Sequence, residues 1–167
     1  FTVSGSKRIM SAGSITINAN RGRNAAIILS GINAAEGVGG IIAEATAGGD
    51  ARNISLSTRN LRVFDRAEIT ASSSSLSEED ASDGFAGNID IAASETIALN
   101  NALISVTNEN APAPGRGESY GNIRIRGANE LRAVDSLITA STESGTAGNI
   151  TVNANRGSNA AIRLSGT

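Results

Sequence analysis

The chain has 167 residues, a net charge of −2, and no Cys or His, which excludes disulfides, thiolate chemistry and His- or Cys-ligated transition metals. Three Phe, one Tyr and no Trp against 19 Gly suit a narrow core of aliphatic side chains better than a spherical one. The scattered charges argue against a nucleic-acid surface, and no apolar run is long enough to insert directly into a membrane as a helix.

A turn followed by an alternating strand recurs along the chain. The copies are Gly13-Ser14-Ile15-Thr16-Ile17, Arg52-Asn53-Ile54-Ser55-Leu56, Gly87-Asn88-Ile89-Asp90-Ile91, Gly121-Asn122-Ile123-Arg124-Ile125 and Gly148-Asn149-Ile150-Thr151-Val152. Their second positions, 14, 53, 88, 122 and 149, lie 39, 35, 34 and 27 residues apart. A unit returning at this period marks a stacked repeat.

The first repeat is the least regular, with an excursion from Ser30 to Gly40 before Ile41-Ile42. After Asn53 come Ile54-Ser55-Leu56, Leu61-Arg62-Val63 and Ile69-Thr70-Ala71, then a polar, acidic excursion from Ser72 to Phe85. After Asn88 come Ile89-Asp90-Ile91, Ile97-Ala98-Leu99 and Leu103-Ile104-Ser105-Val106, then the stretch Thr107 to Tyr120 with Pro112 and Pro114. After Asn122 come Ile123-Arg124-Ile125, Leu131-Arg132-Ala133 and Leu137-Ile138-Thr139-Ala140. Each run has period 2, and none has helical amphipathicity. The pattern predicts an all-β chain: a parallel β-helix (β-solenoid) of about four to five coils, three short strands per coil, spanning 1–167 as one segment with coils starting near 14, 53, 88, 122 and 149.

Stacking predicts columns. The inner ones are Ile15, Ile54, Ile89, Ile123, Ile150 and Ile17, Leu56, Ile91, Ile125, Val152. Asn53, Asn88, Asn122 and Asn149 are expected at a corner, where Asn tolerates left-handed geometry and its amides form a hydrogen-bonded ladder. Thr16, Ser55, Asp90, Arg124 and Thr151 face outward, with Asp90 beside Arg124 as an inter-coil ion pair, and Thr70, Ser105 and Thr139 face outward on the third strand. A longer repeat also exists: 18–31 and 153–166 differ only at Arg23/Ser158 and Ile28/Arg163. That offset of 135 residues, with a first residue that is Phe1 and no polar cap at either end, predicts a window of a longer repeat protein.

Chemistry is sparse. Asp65 and Asp135 occupy equivalent turn positions with Asn101 between them, about 10 Å apart, just outside the roughly 6.5–9.5 Å of inverting glycosidases; an Asp/Asn turn ladder accounts for them better. Glu78, Glu79, Asp80 and Asp83 offer oxygen ligands to Ca²⁺ but match no calcium motif. No nucleophile elbow, acid–base pair or phosphate-cradling loop is present, so no enzyme, catalytic residue, cofactor or metal is expected.

The Gly-Asn-Ile-x-Ile step, the runs Leu61-Arg62-Val63-Phe64-Asp65 and Leu131-Arg132-Ala133-Val134-Asp135, the Ile-Thr-Ala strands after them and the lack of Cys together resemble the stalks of filamentous-haemagglutinin-type exoproteins. These are two-partner-secreted surface proteins of Gram-negative bacteria, with similar repeats in cyanobacterial exoproteins. The resemblance implies a right-handed β-helix at the cell surface or outside the cell. It implies a structural segment of an adhesin or extracellular fibre, giving a rigid elongated stalk. The expected partners are further copies, end to end or side by side, a surface polysaccharide, or a host or neighbouring cell surface. The alternative function is a glycan-binding or glycan-cleaving β-helix that uses loops 72–86 and 107–120.

Overall fold

The structure is a computed structural model and describes residues 2–5, 12–31, 39–45, 49–74, 84–108, 121–142, 147–154 and 160–166. Among these residues there is no helix, and all strand pairing is parallel. The strands are β1 (Thr2–Gly5), β2 (Ile15–Ala19), β3 (Ala26–Ser30), β4 (Gly40–Ala45), β5 (Ile54–Phe64), β6 (Glu68–Ser73), β7 (Ile89–Asn100), β8 (Leu103–Asn108), β9 (Ile123–Arg126), β10 (Glu130–Val134), β11 (Leu137–Thr142), β12 (Ile150–Asn153) and β13 (Ala161–Ser165).

Two parallel sheets result. One has five strands in the order β1-β4-β6-β8-β11. In the other, of eight strands, β2 and β3 both pair with β5, β5 with β7, β7 with β9 and β10, and these with β12 and β13. Parallel neighbours need a long crossover, because a hairpin turn cannot join them. Here the crossover from one strand to its partner is the chain's own passage through the other sheet. The chain therefore advances by layers, each supplying one strand to the first sheet and one or two to the second.

The strand count per repeat differs from expectation. The first and second expected strands run together in β5, 11 residues, and in β7, 12 residues. No Gly or Pro interrupts 57–60 or 92–96. The chain bends instead by slipping its alternation: Arg59 and Asn60 are consecutively half-buried, as are Glu95 and Thr96, and the register shifts between Thr58 and Asn60. The slip points both halves of one strand at the same interior. In the next layer Gly127, at φ 85°, divides β9 from β10. A Cβ there would stand 2.8 Å from the carbonyl oxygen of Ala93, so Gly127→Ala is expected to cost more than about 1 kcal/mol in urea unfolding.

The interior is a large apolar cluster fed by both sheets, with a small second one of Ala12, Ala45 and Ala51. Ile41, Ile69 and Ile104 from the five-stranded sheet meet Ile54, Leu56, Leu61, Ile89, Ile91, Ile97 and Leu99 from the other. β-Branched and aliphatic side chains of this size fill a space a few side chains across, which explains why aromatics are almost dispensable.

Candidate functional site

The residues expected at the corner and in the bore are placed as follows. Asn53, Asn88, Asn122 and Asn149 stand immediately before β5, β7, β9 and β12 and form one column. The backbone N–H of Asn88 donates to Asn53 Oδ1 at 2.8 Å, that of Asn122 to Asn88 Oδ1 at 2.9 Å and that of Asn149 to Asn122 Oδ1 at 2.9 Å. The side-chain Nδ2 groups follow the same rule, at 3.3, 3.0 and 3.5 Å. The carboxamide oxygens of Asn53, Asn88 and Asn122 thus each accept two bonds from the next layer.

The expected reason for Asn was partly wrong. Among the described residues, none of these four has positive φ; the left-handed non-glycines are Asp65, Arg66, Asn101 and Asp135, at the opposite end of the strands. The ladder's hydrogen bonds, not its backbone shape, select Asn. Gly87 also differs from its expected part as a turn-maker: its φ is not positive, and a Cβ would lie 2.2 Å from the carbonyl oxygen of Arg52 in the layer beside it. Close approach of two backbones excludes a side chain there.

Ile15, Ile54, Ile89, Ile123 and Ile150 are register partners in sequence, as are Ile17, Leu56, Ile91, Ile125 and Val152. Ile54, Ile89 and Ile123 are fully buried, whereas Ile150 is 44% exposed in the last layer.

Asp65, Asn101 and Asp135 occupy equivalent positions after the register column Phe64, Asn100, Val134. Asn101 separates the two aspartates, so no pair of facing carboxylates is formed. The Ser30 hydroxyl donates to Asp65 at 3.4 Å, and Asn101 and Asp135, with Arg66, Glu68 and Leu137, border a shallow groove of about 590 Å³.

Polar side chains at the bend bridge successive layers. Thr96 Oγ1 donates to Asn60 Oδ1 at 2.6 Å, Asn60 Nδ2 donates to Glu95 at 3.0 Å, and Arg59 pairs with Glu95 at 3.4 Å. Asn20 donates to Ser57. Asp90 is a register neighbour of Arg124, as expected, but its ion pair is with Arg126, whose Nε and Nη2 donate to the two carboxylate oxygens at 3.1 Å each. The long guanidinium reaches the diagonal neighbour in bidentate geometry. These bonds and the Asp90 charge raise Arg126 above its ordinary pKa. A third pair joins Arg163 to Glu130 at 3.5 Å.

On the five-stranded sheet, Thr70, Ser105 and Thr139 align in register, but Ser105, expected to face outward, is buried. A second hydroxyl column, Ser72, Thr107 and Ser141, lies two residues further on and was missed, because its serines sit at the start of segments that look like loops. Thr107 bonds both Ser105 and Ser141 at 3.3 Å.

Residues 75–83 and 109–120, which include the acidic candidates Glu78, Glu79, Asp80 and Asp83 and most of both expected glycan loops, lie outside the described residues. Among the described residues no group of three or more acidic side chains is placed to hold a metal ion. Comparison with family models, with curated proteins and with solved structures finds no match for this chain.

Proposed function

We propose that this chain is a right-handed parallel β-helix, similar to the stalks of filamentous-haemagglutinin-type exoproteins, and serves as a rigid structural segment of an exported cell-surface adhesin or extracellular fibre. The observation that carries the reading is the register. Strand pairing advances by one repeat at every step, with the same inner columns in each layer and the same Asn corner in the four layers from Asn53 on. Neighbour-only contacts of this kind make stiffness and length additive, which is the physical requirement of a stalk. Further copies, end to end or side by side, fit the same reading as partners.

Removing one whole repeat, the 34 residues 88–121, joins Gly87 to Asn122 and places Asn122 35 residues after Asn53, the spacing that Asn88 holds. The expected result is a folded β protein whose longest dimension in solution scattering falls by about 5 Å, one inter-strand spacing. Loss of the fold, or an unchanged dimension, rejects the stacked reading. Surface labelling of intact cells with an antibody against the chain tests the exported location, and an exclusively internal signal rejects it.

A further inference from the structure

Charge is divided between the two sheets. The strands of the five-stranded sheet carry Glu44 and Glu68 and no cation. Those of the eight-stranded sheet carry six arginines and three acids, and each acid is occupied by one arginine in the ion pairs Asp90–Arg126, Glu95–Arg59 and Glu130–Arg163. Arg62, Arg124 and Arg132 are left exposed and, among the described residues, without a partner. A chain of net charge −2 thus presents, on the described strands of this sheet, three exposed guanidiniums outside any ion pair.

Their placement is regular. Arg62 and Arg132 both register against Ala98, so they stand two layers apart, roughly 10 Å, with a small residue between them. Along the bend, between the strand halves that carry Arg124 and those that carry Arg62 and Arg132, runs a groove of about 420 Å³. Ala92, Ala93 and Gly127 line it with little side-chain bulk, while Asn20, Ser57 and Ser94 supply amide and hydroxyl groups. Arg126 and Arg59 border it and are held in place by their carboxylates. Arg124 lies two residues before Arg126 on one side of this groove, and Arg62 three residues after Arg59 on the other.

We propose that this outer face binds a linear carboxylated polysaccharide, whose carboxylates pair with Arg62, Arg124 and Arg132 while a sugar sits in the groove beside the bend. A pyranose and a layer are of similar length, so cations two layers apart meet carboxylates on alternate sugars. Hydroxyl and amide groups at the groove match sugar hydroxyls. A single-stranded nucleic acid would call for aromatic platforms for its bases, and Phe64 is the one aromatic on the described strands of this sheet. An acidic peptide added as a strand would require a free edge, and the central strands β5 and β7 are paired on both sides. The proposal concerns the surface alone and goes beyond the stalk reading.

The test uses the 167-residue chain with hyaluronan as the carboxylated probe and dextran as the neutral one. The expected result is hyaluronan binding that weakens as salt is raised, and no dextran binding. In the variant Arg62→Gln/Arg124→Gln/Arg132→Gln, affinity falls at least about tenfold. Ser94→Trp, which fills the groove without touching these charges, also weakens binding. Circular dichroism and solution scattering of both variants match the wild type, so a loss of binding is separable from a failure of the stacked fold. Undiminished binding by the triple variant, or equal binding of dextran, overturns the proposal. So does undiminished binding by the Ser94→Trp chain, or equal affinity for poly-glutamate or duplex DNA.

Discussion

Ile89→Ala is expected to lower the stability of the chain by about 2–5 kcal/mol, while the same substitution at Ile150 costs less than about 1 kcal/mol. The two residues occupy one register column, preceded by the same Asn and followed by the same alternation. Local propensity therefore changes equally in both. Their surroundings differ. Ile89 is fully buried between Ile54 and Ile123, themselves fully buried, so its truncation leaves a void that neighbouring layers cannot close without breaking their own ladders. Ile150 is 44% exposed and has lost much of its transfer free energy already. Urea unfolding of the two variants measures the difference directly, with an unchanged slope showing that the same surface is exposed. Equal costs would mean that the column is not the core and that the layers hold together by their backbone bonds alone.

The inner columns were legible in the sequence because two signals coincide there: period 2 inside a strand and a repeat that returns the same Ile to the same place. Ile54, Ile89 and Ile123 satisfy both. The bend was not legible, because it uses no turn-former; Arg59-Asn60 and Glu95-Thr96 turn the chain through consecutive outward residues, and such residues look like an ordinary lapse of alternation. The ion pair was half legible. Register put Asp90 beside Arg124, but a guanidinium chooses the carboxylate it can meet with two bonds, and side-chain length let Arg126 do so from the diagonal position. The charged face could not be read at all from composition. A net charge of −2 hides it until each arginine is assigned to a sheet and each acid to a partner.

Asn88→Ala is expected to cost about 1–3 kcal/mol, against less than about 0.5 kcal/mol for Asn149→Ala. The asymmetry follows from the direction of the ladder. Asn88 Oδ1 accepts both the backbone N–H and the side-chain Nδ2–H of Asn122, at 2.9 and 3.0 Å, so truncation removes the acceptor of two bonds in one step. It also withdraws the Nδ2 donor that reaches Asn53 at 3.3 Å. Asn149 only donates in this ladder. Its backbone N–H bond to Asn122 survives replacement by Ala, and the side-chain bond that is lost is the longest of the set, at 3.5 Å. Thermal unfolding of the single variants and of the pair supplies the comparison, and the pair is expected to depart from additivity because both residues bond Asn122. Since none of the ladder residues needs a left-handed backbone, equal costs at the two positions would leave hydrogen bonding without a part in choosing Asn. The recurring Gly-Asn-Ile step would then owe its Asn to something other than the contact between layers.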